Sequence, residues 1–354
     1  MRIGIAGAGL LGRLLAWRLA QAGHAVEVFD PAPDAALRRD GRGAAAFTAA
    51  GMLSPLAESA VGGARIAELG WRSIDRWRTI AAALPGGPAA FMREHGSLLV
   101  AHRGDAGSAQ RLLARIVSVP GRPLPRPLEA DRFTALEPAL TRGLLAWELP
   151  GEAQVLPAPL LGALHDDAPR VGWHWGRAVE AVEPQALRLC DGECRRVDLA
   201  IDVRGLGARP PVPLRGVRGE LVWLHAPGVV LQRPVRLVHP RHPMYLVPRP
   251  DDVIVLGATE IDSEDRSPVS LRSAVELMAA AHSVCPELAE ARIVHLETNL
   301  RPALPDNAPL VQHEPGLLRV NGLYRHGWLI APALVDEALA ALGLHAPAEE
   351  AMHA

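Results

Sequence analysis

The sequence predicts an α/β fold in two parts: a domain built on a parallel sheet, joined to a second, α+β domain built on an antiparallel sheet. Three observations predict it. Residues 1–30 read as strand, glycine turn, helix, strand. The middle of the chain is rich in short strands separated by turn residues. The C-terminal stretch returns to a strand followed by a helix. A length of 354 residues suits about two domains.

Composition sets limits. Apolar residues make up 49% and charged residues 21%, as in an ordinary folded chain rather than a disordered or collagen-like one. The 37 basic and 39 acidic residues leave a net charge of −2. That balance gives no footprint for nucleic acid or a membrane surface. Every basic residue is Arg; there is no lysine. This excludes a lysine Schiff base and a P-loop. Cys190, Cys194 and Cys285 are too few and odd in number for a disulfide framework, and suit a reducing, cytoplasmic setting. Cys190 and Cys194 read as flanking a strand pair. Two thiols make no zinc site, and His239 and His242 have no third ligand nearby, so no metal is expected. Arg13 and Arg18 interrupt the one stretch that mimics a signal peptide. No run of about 18 uncharged apolar residues predicts a membrane span.

The elements follow in order. Ile3 to Ala6 is a short buried strand, and Gly7-Ala8-Gly9-Leu10-Leu11-Gly12 is a turn. In the helix after it, Leu11, Leu14, Leu15, Leu19 and Ala22 share a face, with Arg13 and Gln21 off it. Gly23 stops this helix, and Ala25 to Phe29 is a strand ended by Asp30. Residues 31–51 are small or Arg, suited to backbone lying against a flat ligand. Residues 63–84 read as a helix and Ser97 to His102 as a strand. Four prolines mark residues 119–127 as a loop. A helix begins at Pro157. Asp198 to Val203 is a buried strand leading to a second glycine turn, Arg204-Gly205-Leu206-Gly207. Strands cover 219–225 and 244–257, the latter folded into a hairpin at Pro250-Asp251-Asp252. Ser270 to His282 is an amphipathic helix, Leu317 to Val320 a strand, and 332–342 the last helix.

The first βαβ unit carries chemistry. Gly7 permits a tight turn, Gly9 lets backbone approach a pyrophosphate, and Gly12 lets helix pack on strand. The helix N-terminus offers free N–H groups to phosphate. Asp30 stands where a carboxylate holds ribose hydroxyls and repels a 2′-phosphate, so the ligand is FAD or NAD rather than NADP. A Rossmann-like site begun at the N-terminus and completed near the C-terminus favours a flavoprotein.

With these residues in view, the chain resembles the FAD-dependent D-amino-acid oxidase superfamily, and within it the glycine oxidases. Four segments carry the resemblance: Gly7 to Gly12 with Asp30; Ala49-Ala50-Gly51-Met52-Leu53-Ser54-Pro55; Tyr245 to Arg249 with Gly257-Ala258-Thr259; and Leu300-Arg301-Pro302 with Pro305-Asp306, leading to Tyr324-Arg325-His326-Gly327-Trp328-Leu329-Ile330-Ala331-Pro332. The resemblance spans the whole chain. It implies that FAD is held by Gly7, Gly9, Leu10, Leu11, Gly12, Asp30, Pro31, Ala50, Gly51, Met52, Val179, Gly205, Tyr324, Gly327, Trp328 and Leu329. It implies that Arg301 binds the substrate carboxylate, that the Tyr245 hydroxyl assists, and that Arg325 adds a hydrogen bond or positive potential. Tyr245 and Tyr324 are the only tyrosines in the chain. The resemblance also puts His326 among the catalytic residues with Tyr245, Arg301 and Arg325: it stands where glycine oxidases often have Asn, and would raise the flavin potential if protonated or donate a hydrogen bond to the flavin. Trp328 replaces a smaller residue.

The implied reaction is oxidative deamination of glycine or a small amine by hydride transfer to flavin N5. The imine hydrolyses to glyoxylate or a keto acid plus ammonia, and O2 reoxidises the flavin to give H2O2. An FAD dehydrogenase of D-amino or N-methyl amino acids with another acceptor is the alternative, and a flavin- or NAD-binding module without amine chemistry a third. The implied FAD domain covers 1–82, 145–215 and 305–354, and the substrate domain 83–144 and 216–304. A homo-oligomer stays open, since no sequence feature fixes the assembly.

Overall fold

The computed structural model describes residues 1–241 and 243–344. His242, half of the histidine pair considered above, and residues 345–354 lie outside the described residues.

One sheet has six strands, in the order Leu310–Glu314, Leu317–Asn321, Leu199–Asp202, Arg2–Ala6, Ala25–Asp30, Gly172–Trp175. The first runs antiparallel to its neighbour. The other pairings are parallel, with Ile5 opposite Ile201 and Phe29 opposite His174. Leu199–Asp202 is buried throughout, and so is Arg2–Ala6 after Arg2. Strands covered on both faces read as apolar runs rather than alternating ones. On one face the helices Leu10–Gln21, Pro55–Ala83, Pro157–Asp166 and Gly327–Ala341 share an apolar core. On the other, a three-stranded antiparallel sheet packs Val182, Leu187 and Val197 against Ala6 and Phe29.

Arg2–Ala6 and Leu199–Asp202 lie side by side, and each ends in a glycine turn at the same edge. The chain leaves the first strand toward one side of the sheet, and its second neighbour belongs to the other side. In an open parallel sheet that reversal leaves a crevice beyond the strand ends, where ligands bind.

The second sheet has eight strands, ordered Arg292–Ala303, Arg215–His225, Val253–Gly257, Met244–Arg249, Val235–Leu237, Ser97–Ala101, Leu145–Leu149, Arg126–Pro127. It is antiparallel except where Val235–Leu237 meets Ser97–Ala101. The helix Leu271–Val284 covers one face through Leu277, Ala281 and Val284. The other face, with Leu221, Val247 and Val255, looks toward Ala50 and Met52.

Five sequence expectations need correction. The first helix starts at Leu10, so Gly12 lies in its first turn rather than ahead of it. Arg13 is not a solvent-facing residue but is 2% exposed. Its guanidinium donates to the carbonyls of Ala8, Leu161 and Ala35 at 2.8–3.0 Å, tying three segments together. The long helix begins at Pro55; the expected start at 63 marks a kink, where Gly63 has φ +70. The last helix begins at Gly327, with Pro332 inside it. Proline has no N–H, which frees the Trp328 carbonyl one turn back. Trp77 Nε1 donates to that carbonyl at 2.8 Å, and Ser73 Oγ takes the Ala333 N–H at 3.1 Å. Leu145–Leu149, placed with the nucleotide domain from sequence, pairs with Ser97–Ala101 in the second sheet.

Candidate active site

A cleft of about 1560 Å³ runs from the glycine turns to the face of the eight-stranded sheet. At one end its wall includes Gly7, Gly9, Leu10, Leu11, Asp30 and Pro31, then Val179 and Gly205. Gly7 has φ +104, a region only glycine enters freely, and a Cβ there would lie 2.8 Å from the Val203 carbonyl. A Cβ at Gly12 would overlap the Gly7 carbonyl, so Gly12 works by packing and does not itself line the cleft. Asp30 accepts the Ala8 N–H at 2.7 Å and the Ala32 N–H at 2.8 Å. It braces the turn as well as facing the cleft. The Val179 carbonyl accepts from Arg204 Nη1 at 2.7 Å, and Arg204 is in turn paired with buried Asp202. The second glycine turn is thereby fixed to the strand that carries Val179.

Midway, Ala50, Gly51 and Met52 present backbone and small side chains. Gly51 has φ +63, and a Cβ there would overlap the Val155 carbonyl. The segment is clamped from two sides. Arg249 donates to the Ala50 carbonyl and, at 2.8 Å, to Gln154. Burial pushes the Arg249 guanidinium down to about 10. From the edge strand, Asn299 Nδ2 donates to Thr48 Oγ1 at 3.2 Å, and buried Glu297 accepts from Thr48 and from Trp223 Nε1. Alternate residues of a strand share a face, which puts Glu297, Asn299 and Arg301 on the cleft side together.

Opposite, the C-terminal helix starts at the cleft with Gly327, Trp328 and Leu329 on the wall. Neither this helix nor the first has a side-chain cap. Their leading N–H groups are free for an anionic or electron-rich ligand. Trp328 is 4% exposed and donates to the Ala46 carbonyl at 3.1 Å, so it fills core and anchors the loop. Tyr324, at φ +49, also lines the cleft. A long cleft with glycine cradles, two open helix N-termini and a small-residue strip fits FAD.

Beyond the strip lie Tyr245, Arg301 and Arg325. Tyr245 faces Gly257 across the hairpin, where a Cβ would fall 2.6 Å from its ring. A Cβ at Gly219 would overlap the Arg301 guanidinium. Two glycines in central strands thus form the floor on which the two site residues lie. Arg301 Nη1 donates to the Thr259 carbonyl at 3.0 Å and the Arg218 carbonyl at 3.4 Å. Among the described residues no carboxylate is at ion-pair distance from it. Burial pushes its guanidinium down. Burial also pushes the Tyr245 phenol up, against the pull of Arg301.

Arg325 is different. It contacts Glu58 at 3.0 Å and donates to Glu260 at 2.8 Å. Glu58 foremost raises its pKa, so its charge is secure but largely offset. Glu58 also pairs with Arg236 at 2.7 Å and with His326 Nδ1 at 3.2 Å. Burial pushes the Glu58 carboxyl up, but Arg325, Arg236 and His326 together hold it well below the usual carboxylate range. His326 is 4% exposed and turned onto Glu58, and it does not line the cleft. Tyr324 is pushed up to about 12 by burial and by its hydrogen bond to Glu260.

The sequence reading missed Glu58, Arg236, Glu260, Glu297 and Asn299. Glu58 alone carried a signal, a single acid between apolar residues just after the Ala50-Gly51-Met52 strip.

Comparison with known proteins agrees with this geometry. Residues 2–342 match the family described as FAD dependent oxidoreductase, DAO. The chain is 36% identical over 343 residues to the "Putative thiamine biosynthesis oxidoreductase ThiO" of Rhizobium etli, covering 95% of each. The fold is shared with glycine oxidase from Geobacillus kaustophilus (TM-score 0.81, 24% identity, 97% of this chain and 94% of that one). It is shared equally with glycine oxidase from Bacillus cereus (TM-score 0.81, 20% identity, the same coverage). The match along nearly the whole chain, on a cleft built for a flavin dinucleotide, places this protein in the DAO family of FAD-dependent oxidoreductases.

Proposed function

We propose that the chain oxidises glycine or another small amino acid or amine, releasing an imine that hydrolyses to glyoxylate or a keto acid and ammonia. The observation that carries this is Arg301, a half-buried guanidinium with no carboxylate partner among the described residues, set beside Tyr245 on the cleft wall. The names of the relatives, a thiamine-biosynthesis oxidoreductase and two glycine oxidases, point the same way.

Thr259 and Arg218 hold one edge of the Arg301 fork, leaving its remaining N–H groups to take a carboxylate. Tyr245 stays protonated and donates a further hydrogen bond. FAD, held by the glycine turns and the two open helix N-termini, would supply a two-electron acceptor for the Cα hydride, with O2 as the final acceptor giving H2O2. The chain's own contribution is to fix the carboxylate and thereby aim Cα. Orientation of this kind is worth several kcal/mol. The amine must be neutral to donate its lone pair as the C=N bond forms. Three free cysteines suit a cytoplasmic setting for this chemistry.

The test is an absorbance spectrum of the purified protein before and after anaerobic glycine. Flavin peaks that bleach support the reading, and reoxidation by O2 then separates an oxidase from a dehydrogenase. Peaks unmoved by glycine, sarcosine, D-alanine and D-proline would overturn it.

A further inference from the structure

Four charged side chains act on Arg301 and Tyr245 at the substrate end of the cleft: Glu58, Arg236, Glu260 and Arg325, with Arg301 itself the fifth; Arg115, Arg241, Arg266, Arg272 and Glu276 line the same cleft outside this group. The first four form one chain of ion pairs. Arg236 meets Glu58 at 2.7 Å, Glu58 meets Arg325 at 3.0 Å, and Arg325 meets Glu260 at 2.8 Å. Two cations and two anions make this chain neutral. Arg301 stands outside it. Behind the wall, Arg249 and Glu152 do not line the cleft.

We propose that Glu260 makes the pocket selective for substrates with a single carboxylate, by closing an ion-pair chain that leaves Arg301 as the uncompensated cation. The inference rests on the amino-acid reading above. A small amino acid with a neutral amine carries one negative charge, which Arg301 balances. Within this group a second carboxylate finds no free cation beside Arg301, because Arg325 is already held from both sides and Arg236 by Glu58. Glu260 is also the outer anion of the chain. Its side chain is 45% exposed, against 9% for Glu58, so it stands on the solvent side of the pocket. It directly follows Thr259, whose carbonyl anchors Arg301, so the backbone ties it to the carboxylate site. A substituent leaving the pocket toward solvent passes a fixed negative charge. Unpaired like charges are an effective way to exclude a competing ligand.

The test uses the FAD-loaded protein and two ligands that cannot turn over because they lack an amine. Methoxyacetate has one carboxylate and diglycolate has two. Their affinities are read from the shift of the flavin absorbance. The wild type should bind methoxyacetate at least about tenfold more tightly than diglycolate, a gap that narrows with salt. In Glu260→Gln the gap should fall to about threefold or less, because Arg325 is freed to take the second carboxylate. In turnover, the ratio of kcat/KM for iminodiacetate over sarcosine should rise in the same variant. Equal binding of both ligands by the wild type would overturn the proposal. So would a gap unchanged in Glu260→Gln. If glycine bleaches the flavin while the gap stays fixed, the role of Glu260 alone fails. If no amine bleaches the flavin and neither ligand shifts it, the amino-acid reading fails and takes this proposal with it.

Discussion

Arg301 is the residue on which most rests. Replacing it by Ala removes about two charge-assisted hydrogen bonds, each worth about 1.5–3 kcal/mol. Arg301→Ala should therefore lower kcat/KM at least about 100-fold, with the flavin spectrum retained. Steady-state kinetics beside a flavin titration checks both parts. The two phenols make a pH prediction. Burial raises both pKa values, Tyr324 to about 12, so each remains a neutral donor through the usual assay range. A rise in kcat/KM with pH then belongs to the substrate amine, and it should persist in Tyr324→Phe; a profile flat from about pH 6 to 10 would contradict this. Glu58 makes another. Its folded pKa is depressed, so its contribution to stability is complete above the unfolded value of about 4.3 and is lost as pH falls through the depressed one. Urea midpoints taken on either side of about pH 4 should drop more steeply in the wild type than in Glu58→Gln. Residues of this kind were unequally legible. Tyr245 and Arg301 lie in recognisable segments. Glu58 pairs with Arg325 across 267 positions, and in a chain with 37 arginines no spacing rule singles out such a pair.

At the scale of elements, the buried strands and the glycine turn were legible because pattern and period decide them locally. The C-terminal helix was not. Pro332 reads as a helix starter, since proline is tolerated best in the first turn. Here the long helix supplies what the proline removes: Trp77 takes the orphaned carbonyl and Ser73 the next amide. Such partners come from the tertiary fold and leave no trace in the local sequence. Trp77→Phe keeps most of the apolar bulk but leaves the Trp328 carbonyl buried and unpaired, at a cost of about 1–3 kcal/mol. Chemical denaturation should show that loss. Because Trp328 lines the cleft, FAD affinity should weaken with it. The same logic hid Arg13, whose three carbonyl partners lie on three separate segments.

Across the whole molecule, the cofactor end of the cleft is assembled from four distant stretches: the first glycine turn, the strip near Gly51, the turn at Gly205 and the start of the last helix. Binding to that assembly alone should stabilise it by about 2.7 kcal/mol when free FAD is 100 times its Kd. Thermal melts of stripped protein across an FAD series should move upward by several degrees. The order of the strands has a consequence in time. Ile3 pairs with Leu199, and Leu199–Asp202 in turn pairs with Leu317–Asn321. A ribosome adding about 5–20 residues per second takes roughly 10–40 s to deliver the second strand after the first. Through that interval the nascent chain displays an apolar edge with nothing beside it, and the flavin pocket closes only after the last helix has emerged. Newly made chains are therefore clients for whatever shields unpaired strands during translation, and they acquire their yellow colour only once the helix Gly327–Ala341 is free to pack.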